Sequence, residues 1–308
     1  MLTVANYHYI RENFKTKYPS IFGITPELFK KQLQLLKAKG DFVHPKELIS
    51  NYNEILKSKQ NYYLITYDDG LKEQYNYALP ILEELKIPAI FFANSKNFQD
   101  KKLSTVHKIH LLRSIISPSD LLIYLSKQNS DMQLSNEEVA KSQNIYIYDD
   151  KESALLKYFL NFKLDYKHQE EIISKIFDLH FDEIEILDNL YMSENQIIDL
   201  SQKGFLGSHT HNHFPIGLLD NSQMKFELEN SKLYFENLTK SKIEMVAYPY
   251  GTTDACTEQV AIMAKSVGYK LGFTTQRGIN LAENNLLLLN RFDCNDLPGG
   301  NNYMKNDN

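Results

Sequence analysis

What most constrains the fold is a β-prone run that stops abruptly at two aspartates. Tyr62 to Tyr67 is unbroken aromatic, aliphatic and β-branched sequence, and Asp68-Asp69-Gly70 ends it. A helical pattern follows over Ala78 to Leu85. Pro88 to Ala93, with Ile90, Phe91 and Phe92, then reads as a buried strand. Strand, loop, helix, strand is a βαβ unit, which implies parallel pairing through a right-handed crossover.

The same alternation flanks this unit. Leu2 to Ile10 opens the chain as a strand. Thr25-Pro26 starts a helix, with a hydroxyl cap followed by proline at the first helical position, and Phe29, Leu33 and Leu36 form its buried face. Gly40 is expected to close that helix as a left-handed cap. The rhythm resumes with a helix over Glu194 to Lys203, a short strand at Gly204 to Gly207 and a loop at His209 to Pro215. A long helix at Asn221 to Leu238, a strand at Ile243 to Tyr248 and a helix at Asp254 to Val267 come next. Strands at Leu271 to Thr274 and Leu286 to Phe292 complete the pattern. Repeated β-loop-α units define an α/β fold, a distorted or incomplete (β/α) barrel, and 308 residues can form it as one unit. Residues 103–190 break the rhythm with helical patterns at Glu152 to Leu160 and Glu170 to Leu179 and a polar patch at Ser130 to Gln143. The expectation is a single domain over 1–308 with a helical insertion at 103–190, for which a lid over the barrel mouth and a packing appendage are equal readings.

Charge and cysteine content narrow the partners. There are 34 basic against 39 acidic residues and no basic block, which argues against nucleic acid as the main partner. Cys256 and Cys294 show no paired spacing and read as free thiols of a reducing compartment. The N-terminus has no basic region followed by an export-length apolar run, and no stretch approaches membrane-spanning length. The expectation is a cytoplasmic protein with no membrane span.

In barrels of this kind chemistry sits at the C-terminal ends of strands. Asp68-Asp69-Gly70 occupies such an end. Asp-Gly alone is commonly a turn, but two adjacent carboxylates cannot both be buried unpaired, and a cation would resolve the cost. Gly207-Ser208-His209-Thr210-His211-Asn212-His213 occupies another, with three of the chain's nine histidines. A helical turn there would put His209 and His213 on one face and His211 away from it. One aspartate with two histidines makes a three-ligand site with open positions, the pattern of a hydrolytic metal, and leaves the second aspartate to take a proton. A third strand end carries Ala247-Tyr248-Pro249-Tyr250-Gly251, where a tight turn or a backbone N–H facing an oxyanion are the two readings.

Asp68-Asp69-Gly70, His209-Thr210-x-x-His213 and Tyr248-Pro249-Tyr250-Gly251, in that order, resemble the three leading motifs of the polysaccharide deacetylase (NodB-type carbohydrate esterase) family. The resemblance covers residues 1 to about 298, with the central insertion its least typical part. It implies Asp68 as general base, Asp69, His209 and His213 as metal ligands, Thr210 steadying the loop through its hydroxyl, and the Tyr250 backbone N–H at the oxyanion. Two features depart from the pattern. Many members carry an arginine two residues before the proline of the third motif, where this chain has Ala247, and no late Leu-x-His supplies the acid histidine. The poly-N-acetylglucosamine deacetylase branch has a rearranged order with its acid histidine in an early Tyr-His motif, and Tyr7-His8 is similar to it. By that resemblance His8 is the acid. By the same logic Arg291 would pair with Asp68 and Asp293 orient His8, since alternation puts both on one side of a strand; a structural ion pair is the competing account.

The activity implied is metal-dependent removal of an N-acyl group, acetyl first, from an amino sugar in surface-glycan biosynthesis. The metal is zinc first, with Co2+, Ni2+, Fe2+ or Mn2+ accommodated by the same donors. The substrate partners implied are nucleotide- or lipid-linked sugars or oligosaccharides. A sugar deformylase or O-deacetylase would use the same apparatus. A catalytically silent carbohydrate-binding protein of this fold is the reading from a different class, and a phosphohydrolase is a weaker third.

Overall fold

The computed structural model describes residues 1–14, 23–128, 134–145 and 149–303. They fall into two compact units, one of 1–14, 23–102 and 184–303, the other of 103–183. The first opens with β1 (Leu2–Tyr7), α1 (Pro26–Lys37), β2 (Asp41–Phe42), α2 (Pro45–Lys57), β3 (Tyr62–Tyr67), α3 (Leu79–Leu85), β4 (Ala89–Ala93) and the short α4 (Lys96–Gln99). The second is helical: α5 (Thr105–Leu112), α6 (Pro118–Gln128), α7 (Asn136–Ile145), α8 (Lys151–Tyr158) and α9 (Tyr166–Phe177). Residues 130–133 of the polar patch noted above, with 129 and 146–148, lie outside the described residues. After α10 (Glu183–Leu190) the first unit continues through α11 (Glu194–Lys203), β5 (Leu206–Ser208), α12 (Asn221–Thr239), β6 (Met245–Ala247), α13 (Glu258–Val267), β7 (Leu271–Phe273) and β8 (Phe292–Asp293).

All paired strands are parallel, in the order β7-β6-β5-β4-β3-β1-β8, with β2 against the start of β3. Between β7 and β8 the chain bridges the two ends of the sheet: Leu289 pairs with Phe273, and Phe292 with Ala5. The result is the expected distorted, incomplete (β/α) barrel. The long strand expected at Leu286 to Phe292 is instead this bridge plus a two-residue strand.

Strand parity sorts the core. Val4, Leu64, Ile90, Phe92, Ala247, Phe273 and Leu289 share one cluster, whereas Tyr7, Ile65, Tyr67, Phe91 and Val246 pack with the helices in another. Tyr67 stacks on Phe91 at 4.6 Å, and the Tyr7 ring meets the Phe29 ring of α1 edge-on at 5.1 Å. The first face turns polar toward the strand ends, at Asn6, Thr66 and Asp68.

Thr25 caps α1 by accepting from Leu28 N at 3.2 Å, with Pro26 at the first turn as expected. Gly40 has another role than the one expected. The cap residue of α1 is Ala38 in right-handed geometry, and a Cβ at Gly40 would collide with the carbonyl of Asn61, whose oxygen takes the Asp41 N–H at 3.0 Å. Helix α2, not foreseen from periodicity, starts at His44-Pro45 with the imidazole Nδ1 accepting from Lys46 N.

Candidate active site

The β1–β3 register pairs Tyr7 with Tyr67, so His8 and Asp68 leave the sheet side by side. His8 Nε2 lies 3.8 Å from Asp68 Oδ2, with 39% of the His8 side chain exposed. Arg291, carried between Leu289 and β8, meets Asp68 as a fork: Nη1 to Oδ1 and Nη2 to Oδ2, both 2.8 Å. Its Nε donates to Thr274 O at 2.7 Å and its Nη1 also reaches Asn6 Oδ1 at 3.0 Å. The Asn6 amide donates in turn to Asp68 Oδ2 at 3.2 Å. Burial works to raise the Asp68 acid, but the Arg291 charge, followed by His209 and His8, outweighs it and holds the carboxyl down at about 2. Asp68 is therefore ionised at neutral pH. Its Oδ1 accepts only from Arg291 among the described residues and keeps lone-pair capacity.

Asp69, next along, is held at φ +78° and Gly70 at +65°, and a Cβ on Gly70 would crowd the Ala93 methyl at 2.9 Å. The turn sends Asp69 toward the loop after β5. Asp69 Oδ1 is 3.6 Å from His209 Nε2 and 3.3 Å from His213 Nε2, and one donor atom from each of the three residues lies within 4.8 Å of the others. No helical turn brings the two imidazoles together, contrary to expectation. Residues Thr210 and His213 take left-handed φ of +65° and +62°, which folds the loop back on itself. The Thr210 hydroxyl is buried and has no hydrogen-bond partner among the described residues. His211 does point away, as expected, with Nδ1 2.8 Å from Ser95 Oγ.

The donor set fits a divalent ion. His209 Nδ1 donates to Ala247 O at 2.8 Å, which leaves the Nε2 lone pair for the Asp69 side. Burial, ahead of the opposing charges of Asp68 and Asp69, lowers the His209 pKa to about 4, so the ring is neutral and able to ligate.

Tyr250 also holds a left-handed φ, +63°, followed by Gly251 at +61°. Its ring stands 5.4 Å from that of His213, and its carbonyl takes the Thr275 hydroxyl at 2.8 Å. Asp293 does not join the site. β8 ends with it, and its Oδ1 caps the following turn by accepting from Asn295 N at 2.8 Å and Asn295 Nδ2 at 2.9 Å. The expectation that it orients His8 is thereby corrected, because the chain turns at Cys294 and the carboxylate faces that turn.

Two supporting residues carried no sequence signal. Gln74, fully buried, donates both amide hydrogens to backbone carbonyls, at 2.8 Å to His8 O and at 2.6 Å to Asp68 O. It opens a π-helical turn, Gln74–Ala78, that runs into α3. Asn6 could be found only by knowing the β1 register. A cavity of about 260 Å³ lies at the other, N-terminal ends of β5 and β6, lined by Lys46, Gly204, Leu206, Lys242 and Met245, and includes none of these groups.

Fold and site together define a class: an incomplete (β/α) barrel with a carboxylate–imidazole cluster and an arginine-paired aspartate at its strand ends. The chain belongs to the polysaccharide deacetylase family, whose sequence model matches residues 56–131 and 184–272. YxkH of Bacillus subtilis (strain 168), a protein carrying the polysaccharide deacetylase name, is 28% identical over 102 residues. That match spans 33% of this chain and 36% of YxkH, about a third of the relative's length. Among solved structures, the Streptococcus pyogenes deacetylase PplD in complex with acetate aligns with a TM-score of 0.59 at 20% identity, over 99% of this chain and 96% of PplD. IcaB from Ammonifex degensii aligns with a TM-score of 0.57 at 18% identity, over 94% and 90%. A de-N-acetylase from Aggregatibacter actinomycetemcomitans gives 0.56 at 15% identity, over 95% of each chain. Among the described residues no helix is long and apolar enough to cross a membrane.

Proposed function

We propose that the chain is a divalent-metal-dependent hydrolase that removes the acetyl group from an N-acetylated amino sugar. One observation carries the reading: an ionised aspartate forked by Arg291 stands next in sequence to an aspartate that converges with two histidines. A pure binding module would need the second arrangement without the first.

Asp69, His209 and His213 are the proposed ligands, and a carboxylate with two neutral imidazoles suits zinc first, with cobalt, nickel, iron or manganese also accepted. A bound ion would polarise the amide carbonyl and acidify water. Asp68 takes the proton of the attacking water on Oδ1, the oxygen with spare capacity. Arg291 and Asn6 fix the carboxylate plane, so its orientation is set before substrate arrives. The backbone N–H of Tyr250, in the left-handed turn beside His213, is assigned to the developing oxyanion. His8, close to Asp68 and partly open to solvent, donates the proton that the departing amine needs.

The test is acid release from a panel of N-acetylated sugars in nucleotide-linked, lipid-linked and oligomeric form, with N-formyl and O-acetyl analogues alongside. The expected result is acetate release that stops on chelation, returns with metal, and is absent in Asp68→Asn although that variant retains its metal. Fully loaded protein that frees no acid from any of these substrates, or an Asp68→Asn variant as active as wild type, would remove the reading.

A further inference from the structure

The loop that supplies two proposed ligands contains a third histidine that faces the opposite way. Besides Ser95 Oγ, His211 Nδ1 has Asn230 Nδ2 at 3.1 Å, and its Nε2 lies 3.3 Å from Asp100 Oδ2. Its ring thus ties the loop to α4, through the residue before it and the residue after it, and to α12. From α12 comes Glu227, which is 2% exposed and has no lysine or arginine partner among the described residues. Its carboxylate is taken up by the loop, through two backbone N–H groups and one side-chain amide. Oε2 accepts from His211 N at 3.1 Å and Asn212 N at 2.7 Å, and Oε1 accepts from Asn212 Nδ2 at 2.6 Å.

A buried carboxylate is costly unless hydrogen-bonded, and here the bonds all go to His211 and Asn212, two of the three residues between the proposed ligands. Those residues need holding. Thr210 sits at a left-handed φ that a β-branched side chain disfavours, and His213 at one that few non-glycine residues adopt, so the loop keeps this shape only while its surroundings impose it.

We infer that Glu227 is a positioning residue for the metal-binding loop, acting with His211. Neither side chain enters the proposed ligand set. Glu227 fixes the 211–212 peptides and His211 anchors them, so that His209 and His213 aim Nε2 at the same point as Asp69. The inference rests on the proposed metal role of those three residues.

The experiment is metal binding, read independently of turnover. Full-length metal-free wild type, Glu227→Gln and Ser95→Ala are titrated with Zn2+ against a chromophoric chelator, and with Co2+ while its visible absorption is followed. Thermal unfolding of each metal-free protein is measured in parallel. Glu227→Gln puts an N–H2 group among donors. It should bind Zn2+ roughly 10- to 100-fold more weakly and give an altered Co2+ spectrum. Ser95→Ala removes one anchor of His211 and should weaken binding in the same direction by less. If Glu227→Gln does not fold, Ser95→Ala alone carries the test. Folded variants that bind Zn2+ as wild type does, with an unchanged Co2+ spectrum, overturn the inference even if their melting points fall. Wild type that takes up neither ion removes the metal reading itself, a result distinguishable from the first.

Discussion

The guanidinium of Arg291 and the carboxylate of Asp68 are 223 positions apart in sequence and meet through two 2.8 Å hydrogen bonds with both side chains buried. The pair answers the puzzle posed by Ala247. That position, at the end of β6, offers only its carbonyl, which orients His209, and the guanidinium enters from the bridge between β7 and β8 instead. A buried ion pair is weak evidence for stability as such, since its desolvation offsets most of its attraction. What it does accomplish is to keep one carboxylate charged and fixed in a place where burial alone would neutralise it.

Removing one partner should therefore be costly. Arg291→Met leaves Asp68 buried without its counter-charge, and about 3–5 kcal/mol of unfolding free energy should be lost in urea titrations near neutral pH. With its acid held at about 2, Asp68 stabilises the wild type above its unfolded value of 3.8, and that contribution is lost as pH falls through 2. In the variant burial raises the acid, so the stability gap between the two proteins should narrow on acidification. A gap independent of pH between 7 and 3 would show that the charge pair is not its cause. Acetate release should be lost as well, and Arg291→Lys should not restore it, because an ammonium cannot make the fork.

His8 is proposed to protonate a poor leaving group, and substrate choice can isolate that role. His8→Gln should lower turnover of an N-acetyl sugar by about 10²- to 10⁴-fold. An activated acetyl ester, whose phenolate leaves without a proton, should be hydrolysed at nearly the wild-type rate. Equal losses on both substrates would mean that His8 serves binding or structure rather than proton donation.

Gln74 holds the backbones of His8 and Asp68 with one amide, and its own Oε1 is buried without a partner among the described residues. An unsatisfied buried carbonyl is a cost, which marks the two donated bonds as the reason the side chain is there. Gln74→Leu has similar bulk and cannot donate. It should reduce kcat by about tenfold or more with KM and metal content little changed, as expected when orientation of reacting groups is loosened. A variant impaired in KM alone, or with depleted metal, would point to a different role.

The parts legible in sequence were those governed by local pattern. Apolar runs gave β3 and β4 because parallel strands buried on both sides need no alternation, and Thr25-Pro26 marked the start of α1. Side-chain chemistry pointed to one aspartate and two histidines as a donor set, the family resemblance singled out Asp69 for it, and Asp69, His209 and His213 do converge. Features set by tertiary geometry were hidden. The left-handed φ at Thr210 and His213, not helical spacing, brings the imidazoles together. β8 stops at Asp293, so alternation could not say where that carboxylate points. Gln74 and Glu227 act on backbone atoms brought near by folding, and no spacing in the chain encodes that.

His209 offers a prediction in which two buried groups oppose each other. In the metal-free protein its pKa lies near 4 against 6.5 unfolded, so the unfolded chain binds a proton that the native ring refuses. Its contribution to stability is complete above about 6.5 and is lost as pH falls toward 4, up to about 3 kcal/mol for a shift of this size. Glu73 runs the other way. Burial, working against its ion pair with Arg11, pushes its acid up to about 7, and its contribution is complete below 4.5 and lost as pH rises through 7. The wild-type curve alone sums the two and cannot separate them. His209→Asn keeps a donor for the Ala247 carbonyl and does not titrate, so the wild-type-minus-variant difference in unfolding free energy isolates the histidine. Measured without metal between pH 4 and 7.5, that difference should move in favour of wild type as pH rises and level off near 6.5. A flat difference would mean that the imidazole is as easily protonated folded as unfolded, so that burial does not hold it neutral for the proposed ligand role.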